Sequence, residues 1–333
     1  MKRLSCPVCA ARVYFENVAC GACGASLLFV APASAMARLQ DGIPCQHRAI
    51  ISCNWATEPG QPFCQACRLN RTIPNLSEPG NAARWERIER AKRRLVADLL
   101  RLGLPIVSRR DDPQRGLCFD FVSNALGAKP VMTGHMNGLI TLDIAEADAA
   151  EREARRAAMR EPYRTLIGHF RHEIAHFYFA LLVEPGPLVA SFRAVFGDER
   201  RDYAQALRRH YSNGPPPQWP EHFISAYASC HPWEDWAETF AHFIHIVATL
   251  DTAVETAIAS GAAFADVYRE PDFDRVLASF PPLTDAVNEI NRSMGMPDVY
   301  PFRLTPSVIG KLHFVHMVVR WATRDATVDA LTL

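Results

Sequence analysis

Two histidines and a glutamate lie within one short segment, His172-Glu173-Ile174-Ala175-His176. Residues four apart share one face of an α-helix, with Cβ atoms about 6 Å apart, so both imidazole rings can bind the same metal ion. Glu173 points toward the same edge of the helix, where it can accept a proton from a zinc-activated water molecule. The spacing therefore predicts a zinc-dependent hydrolase in which that water attacks a carbonyl carbon.

A catalytic zinc ion needs a third protein ligand, because such sites combine three protein ligands with one water. Aromatic residues follow His176, so the longer motif that continues with Gly and a third His is absent. The best candidate segment is 227–245, in which Pro232 fits the first turn of a helix and Glu234 and Glu238 share one face. We expect one carboxylate to bind the metal and the other to hold a ligand histidine by its free ring nitrogen.

Taken together, the two segments resemble a known class of enzymes. The pattern His172-Glu-x-x-His176 with Tyr227-x6-Glu234-x3-Glu238 resembles the gluzincin metallopeptidases, in particular the compact subgroup that includes anthrax lethal factor. Nearly the whole chain resembles a family of bacterial zinc-binding metallopeptidases that carry an N-terminal zinc ribbon. Segments beginning at Thr133, Tyr163 and Trp233 carry this closer likeness.

The resemblance implies an α+β, zincin-like fold that is mostly helical with a small sheet. It implies that His172, His176 and Glu234 bind zinc and that Glu173 is the general base. Two further residues are assigned in the same way: Tyr227 as the hydroxyl that stabilises the oxyanion, and Glu238 as an acid that orients a ligand.

Two of the assignments keep an alternative, and two further expectations depend on position. Spacing from Tyr227 favours Glu234 over Glu238 as the third ligand, and Tyr227 could instead be a core tyrosine bonded to a backbone carbonyl. We expect Asp235 to cap its helix or face solvent, since it points about 100° away from Glu234. In zincins a strand beside the active-site helix binds the extended substrate, and 139–144 is our candidate for that strand.

A second kind of metal site is predicted near the N-terminus. Cys6-Pro-Val-Cys9 and Cys20-Gly-Ala-Cys23 form two C-x-x-C knuckles separated by ten residues. This is the pattern of a zinc ribbon, in which four thiolates enclose one structural zinc ion.

Four further cysteines, Cys45, Cys53, Cys64 and Cys67, form a second group that ends in another C-x-x-C motif. Its first half is irregular, and His47 could replace Cys45 as a ligand. We expect a second structural zinc ion here, or else four reduced and buried cysteines. The predicted cofactors are therefore one catalytic and two structural zinc ions, and the structural ions supply folding energy that small modules lack.

These segments divide the chain into a zinc ribbon (residues 1–40), a second cysteine module (41–75) and a metallopeptidase domain (76–333). A turn-rich linker at 73–81 precedes a helix from about 82 to 102, and alternating patterns predict strands at 117–122 and 138–144.

The 36 basic and 36 acidic residues balance, so no global charge favours nucleic acid or an anionic membrane. The charge balance therefore argues against a membrane and against nucleic acid as partners and leaves the oligomeric state open, while the family resemblance implies a peptide or protein substrate. Zinc-binding thiols must stay reduced, and the N-terminus leads directly into a knuckle without an apolar signal core. Both observations predict a cytoplasmic protein.

Two function classes remain. The first is a zinc metallopeptidase, and the second is a non-enzymatic scaffold whose ribbons bind a partner. Glu173 favours the enzyme, because a scaffold needs metal ligands but has no use for a general base.

Overall fold

The computed structural model describes residues 2–123, 134–159, 161, 164–184, 186–259 and 264–329, the last six without their side-chain surroundings. Thr133 and Tyr163, which begin two of the segments that carry the family likeness, lie outside this range. The chain forms two compact units, Met1–Phe170 and Arg171–Leu333. The predicted fold class is confirmed: the protein is mostly helical with small sheets, and two four-cysteine clusters precede the helical part.

Short antiparallel ribbons build the first part of unit one. They are β1 (Leu4–Ser5) with β2 (Arg12–Val13), β3 (Leu27–Val30) with β4 (Ala35–Arg38), and β5 (Ile43–Pro44) with β6 (Ala56–Thr57). A short helix, α1 (Arg48–Ile51), follows β5.

The two cysteine modules share one small core. Phe15 and Phe29 of the first module meet edge to face at 4.7 Å, and Trp55 of the second packs 5.3 Å from Phe29. Asn54, which is buried, donates to the carbonyl of Phe15 at 2.6 Å. Side chains from both sides of residue 40 therefore pack together, and the boundary placed there stays a prediction.

A long helix, α2 (Asn81–Leu102), follows as the sequence predicts, and it ends at Gly103, whose φ of 77° suits glycine. Its apolar face is fully buried, including Trp85, Ile88 and Leu95. The basic residues of this helix are not all solvated, because Lys92 is buried and lies 2.7 Å from the buried carboxylate of Glu89.

One mixed sheet completes unit one, in the order β7 (Asn70–Thr72), β8 (Cys118–Val122), β10 (Leu139–Asp143), β9 (Gly134–Met136). Strands β8 and β10 occupy the segments that the alternating pattern predicts. The proposed role of 139–144 as a free substrate-binding edge is wrong for residues 139–141. Those residues pair with β8 on one side and with β9 on the other, so their backbone groups are already used.

A buried carboxylate anchors the start of the motif helix. A 3₁₀ turn (Ile144–Ala147) and α3 (Ala149–Met159) lead to α4 (Leu166–Tyr178), whose residues 166–170 belong to unit one. His169 donates through Nδ1 to Glu146 at 2.7 Å, and Arg155 lies 3.1 Å from the same carboxylate. Burial would raise the pKa of Glu146, but His169, Arg164 and Arg155 hold it at about 2. His169 is thus used in packing α4 onto this turn.

Unit two is helical. It contains the end of α4, a π-turn (Phe179–Val183), α5 (Val189–Phe196), α6 (Tyr203–Asn213), α7 (Trp219–His222), α8 (Pro232–Glu255), α9 (Phe273–Ser293) and α10 (Pro306–Asp329). Trp236 of α8 is fully buried against Phe192, Phe196 and Phe314, and its Nε1 donates to the carbonyl of Ala175 at 2.8 Å. This contact sets α8 against the C-terminal half of α4. No helix in the described ranges combines the length and apolar character needed to cross a bilayer.

Asp235 neither caps α8 nor faces solvent, so that expectation is wrong. Its side chain is buried, and Lys311 of α10 lies 2.6 Å from its Oδ2 atom. The Lys311 ammonium also donates to the carbonyl of His222 at 2.6 Å. Asp235 therefore faces α10 and not solvent, because α8 is packed against α10 as well as against α4.

Candidate metal centre

His172 and His176 lie one turn apart on α4, in the part of the helix that belongs to unit two. Their Nε2 atoms are 3.2 Å apart, so both rings point to one place. Phe170, Ile174 and Phe177 are buried at the neighbouring positions, which fixes the rotation of the helix about its axis.

Glu234, in the first turn of α8, brings a third ligand atom to the same place. Its Oε2 atom lies 3.0 Å from Nε2 of His172 and 3.7 Å from Nε2 of His176. Zinc bonds of 2.0–2.2 Å in a tetrahedron imply ligand atoms about 3.3 Å apart. The three pairwise distances bracket that value, so the residues fit a zinc ion.

Glu238 sets the proton position on His172. The Nδ1 atom of His172 lies 2.7 Å from Oε1 of Glu238, and a carboxylate can only accept, so Nδ1 carries the proton. In the neutral ring, which is the form that binds a metal, the Nε2 atom then has a lone pair that faces the cluster. Ser225 donates to the other oxygen of Glu238 at 2.7 Å and fixes the carboxylate in turn.

Tyr203 of α6 does the same for Glu234. Its hydroxyl donates to Oε1 of Glu234 at 2.7 Å, which directs Oε2 toward the histidines. Oε2 is buried and accepts no hydrogen bond from the part of the chain that is described. A buried carboxylate oxygen left in this way, beside two imidazole nitrogens, is the environment that a cation would satisfy.

Burial and the neighbouring charges act differently on each ionisable group of the cluster. Burial would lower the pKa of His172, but Glu234 and Glu238 raise it well above its ordinary value. Burial lowers the pKa of His176, which favours the neutral imidazole that binds metals. Burial would raise the pKa of Glu234, but the two histidines and the Tyr203 hydroxyl hold it at about 2. The carboxylate is therefore ionised at neutral pH.

Three other side chains border the cluster. Glu173 is buried next to His172 in the chain. Tyr227 begins a 3₁₀ turn (Tyr227–Cys230) just before α8, and its ring lies 6.0 Å from that of His172. Burial, followed by the charge of Glu234, raises the pKa of Tyr227, so its hydroxyl keeps its proton. The ring of Trp233 covers His176 at 3.9 Å.

The first cysteine cluster is built from two copies of one turn. The Sγ atoms of Cys6 and Cys23 are 3.8 Å apart, and those of Cys9 and Cys20 are 3.7 Å apart. Zinc–sulfur bonds of 2.3 Å imply sulfurs about 3.8 Å apart, so the spacing fits a closed zinc site. The residue after each knuckle adopts a left-handed backbone: Ala10 with φ 59° and Gly24 with φ 74°.

The second cluster contains Cys45, Cys53, Cys64 and Cys67, all four of them buried. His47 is not part of this cluster; its ring packs 4.4 Å from Phe63. Arg93 of α2 is buried nearby, and burial would lower its pKa, but the cluster thiolates and Glu89 raise it. The guanidinium offsets the negative charge that four thiolates would leave around one zinc ion. No disulfide joins the cysteines of either cluster.

The structure brings together His172, His176 and Glu234 as one group of potential ligands, and places Glu238 behind them rather than among them. Sequence reasoning missed Tyr203 and Ser225. They come from separate elements, and a lone tyrosine that precedes Glu234 by 31 positions carries no spacing signal. Trp233 was visible as the neighbour of Glu234, but only the fold shows that it covers His176.

Comparison with protein families assigns most of the chain. A family described as "Putative zinc-binding metallo-peptidase" matches residues 81–318, and a zinc-ribbon domain matches residues 3–78. The ribbon match spans both cysteine clusters.

Relatives that match along nearly the whole chain occur in mycobacteria. Uncharacterized proteins of Mycobacterium bovis and Mycobacterium tuberculosis are 43% identical over 327 residues, which cover 96% of this chain and 95% of each relative. No solved structure matches the chain.

Proposed function

The chain belongs to the zinc-binding metallo-peptidase family, and we propose that it hydrolyses peptide bonds by zinc-assisted attack of water. The observation that carries this proposal is the convergence of His172, His176 and Glu234 beside the buried Glu173. The finer assignment, to the gluzincins with a zincin-like domain at residues 76–333 after modules at 1–40 and 41–75, is part of the same proposal.

We assign the metal ligands as His172 Nε2, His176 Nε2 and Glu234 Oε2. Zinc bound there would act as a Lewis acid, lowering the pKa of water and polarising a carbonyl group. Glu234 rather than Glu238 is the third ligand because its Oε2 atom faces both histidines, whereas both oxygens of Glu238 are engaged by His172 and Ser225.

Glu173 is assigned as the general base. It adjoins a ligand histidine on the same helix, and it would take the proton of the attacking water and later pass it to the leaving amine. Tyr227 keeps its phenolic proton and lies beside His172, so it can donate to the oxygen on which negative charge develops.

We assign structural zinc ions to the two cysteine clusters, which gives one catalytic and two structural zinc ions per chain. Clustered thiols bind zinc only when reduced, which supports the cytoplasmic location expected from the sequence. The proposed substrate is a peptide or protein.

The test is a matched pair of substitutions at the motif helix. Glu173→Gln should retain three zinc ions per chain and lose peptide hydrolysis by at least about 100-fold, since it removes the base and spares the ligands. The control is Glu184→Gln, an exposed glutamate just beyond the helix, which should change neither property. Metal content is read by elemental analysis, and cleavage is read on a random peptide library by mass spectrometry.

Two results would contradict the proposal. One is a Glu173→Gln protein that cleaves the library as fast as the parent. The other is a His172→Ala/His176→Ala protein that still carries the same number of zinc ions. A parent protein that holds three zinc ions and cleaves nothing would favour the non-enzymatic scaffold instead.

A further inference from the structure

A cavity of about 480 Å³ opens beside the metal centre, within unit two. Its wall is formed by residues 201–202 and the following helix α6, by the proline segment 215–217 and by the end of the 3₁₀ turn that contains Tyr227. This volume lies within the usual range for ligand pockets, about 300–1,000 Å³. The cavity is large enough for one or two amino-acid side chains.

One aromatic ring connects this cavity with the ligand cluster. The ring of Tyr227 lies 6.0 Å from that of His172 and 5.8 Å from that of His210, which lines the cavity. Cys230, four positions before the ligand Glu234, also lines it. A residue of an extended peptide advances about 3.3 Å, so the neighbour of a carbonyl held beside Tyr227 can reach the cavity.

The cavity wall is also tied to the ligand helix. His231, which precedes α8, accepts from the backbone N–H of Trp233 through Nδ1 at 3.1 Å. Its Nε2 atom therefore carries the proton and donates to the carbonyl of Arg201 at 3.1 Å. The backbone of Arg201 is thus held in a fixed place relative to the turn that carries Glu234.

The charged groups of the cavity are mainly positive. Arg201 and Arg209 line it, and neither forms an ion pair with any acidic group among the described residues. The nearby Arg200, in contrast, is paired with Asp198 at 2.8 Å. The one acid in the lining, Asp202, caps α6 by accepting from the N–H of Gln205 at 2.8 Å.

From this arrangement we propose that the cavity is the subsite for the substrate residue next to the cleaved bond, and that Arg201 and Arg209 select a carboxylate there. A guanidinium binds a carboxylate with two parallel hydrogen bonds, which gives both affinity and orientation. The carboxylate is that of an Asp or Glu side chain or of a peptide C-terminus. This inference rests on the proposed peptidase function.

The experiment uses hexapeptides blocked at both ends that differ by Glu, Gln or Lys at one position, scanned along the peptide. Binding to the full-length, zinc-loaded Glu173→Gln protein is measured by fluorescence anisotropy at low salt, and cleavage by the parent protein is measured in parallel. At one position, Glu should improve binding and kcat/KM by about tenfold over Gln, and Lys should weaken both.

Variants of the cavity identify the source of the preference. Arg201→Gln/Arg209→Gln should abolish it, Arg209→Glu should shift it toward Lys, and the control Arg208→Gln, on the same helix but outside the lining, should leave it unchanged. Equal zinc content and melting temperature in all variants would show that the fold is intact. Alanine peptides with a free or amidated C-terminus distinguish a terminal carboxylate from a side chain.

The inference is overturned if Glu and Gln peptides behave alike at every position and free and amidated C-termini behave alike. It is also overturned if the preference survives in Arg201→Gln/Arg209→Gln. Failure of the proposed function looks different: the parent cleaves no peptide, while the arginine-dependent preference in binding remains. Cleavage without any acidic preference removes the inference and leaves the function.

Discussion

The Nδ1 atom of His172 lies 2.7 Å from Oε1 of Glu238, one turn beyond Glu234 on the same helix. Each ring nitrogen of His172 therefore faces a different carboxylate. The Nδ1–H group is fixed by Glu238, and Nε2 faces Glu234 at 3.0 Å. Under the proposed assignment, the two glutamates four residues apart have separate tasks: Glu238 orients a ligand histidine, and Glu234 is itself a ligand.

This division predicts different effects of removing the two carboxylates. Glu234→Ala should eliminate the catalytic zinc ion, because it deletes one of the three proposed ligands. Glu238→Ala should keep the zinc ion but weaken its binding by about 10–100-fold, the usual cost of losing a group that orients a ligand histidine. The measurement is the zinc content and affinity of each variant by competition with a chelator of known strength.

Ser225→Ala is the matched control for this pair, since it loosens Glu238 without removing its carboxylate. It should weaken zinc binding less than Glu238→Ala does. The assignment of roles is reversed if Glu238→Ala loses the zinc ion entirely while Glu234→Ala retains it.

Tyr203 is predicted to affect zinc binding indirectly. Its hydroxyl bonds Oε1 of Glu234, whereas the proposed ligand atom is Oε2. Tyr203→Phe removes the hydroxyl that fixes Oε1 of Glu234 and leaves a buried acceptor unsatisfied. We expect the affinity of the catalytic site for zinc to fall by about tenfold. Chelator competition checks this, with Tyr211→Phe, an exposed tyrosine on the same helix, as the control. Equal affinities in the two variants would contradict a positioning role for Tyr203.

The part of the site that lies within single helices could be read from the sequence. The spacing of His172 with His176 and of Glu234 with Glu238 follows from 3.6 residues per turn, so each pair shares a face wherever the helices pack. How α4 and α8 meet is decided by non-local packing, such as Trp236 on the carbonyl of Ala175. Tyr203 and Ser225 reach the glutamates from elements with no periodic signal, so they became visible only in the fold.

The same distinction applies to the strands. Alternation of apolar residues located β8 and β10, because it reports which residues lie on each face of a sheet. It does not report strand order, and β9 occupies the side of β10 that we had expected to be free at residues 139–141. Asp235 shows the equivalent limit for a helix. That its side chain points away from Glu234 follows from helix geometry, but its contact with Lys311 of α10 depends on how the helices pack.

The two cysteine clusters should lose zinc at different rates. Cys9 and Cys23 of the first cluster are exposed, whereas all four cysteines of the second are buried. Chelators and thiol reagents reach exposed thiolates first, so the first cluster should be modified while the second remains intact. Mass spectrometry of the alkylated protein during zinc release measures the order. Simultaneous labelling of Cys9 and Cys53 would contradict this prediction.

The last prediction concerns the buried ion pair between Lys311 and Asp235. Lys311→Met keeps most of the length of the side chain but leaves Asp235 without its cation. Burial raises the pKa of Asp235 to about 7, so above that pH its carboxylate is ionised, and breaking a buried pair of this kind costs about 3–5 kcal/mol. We therefore expect a large loss in the free energy of unfolding, measured by urea denaturation in excess zinc.

The double variant Asp235→Leu/Lys311→Met should recover most of that stability, because it removes both charges and fills the space with apolar groups. Since Asp235 follows Glu234 directly, Lys311→Met should also weaken zinc binding at the site of His172, His176 and Glu234. If the charge of Lys311 causes this loss, the double variant should recover zinc binding; if the geometry of the ion pair causes it, the double variant should not. A Lys311→Met protein as stable as the parent would contradict this prediction, because it would mean that Asp235 takes up a proton or another partner at no cost when its cation is removed.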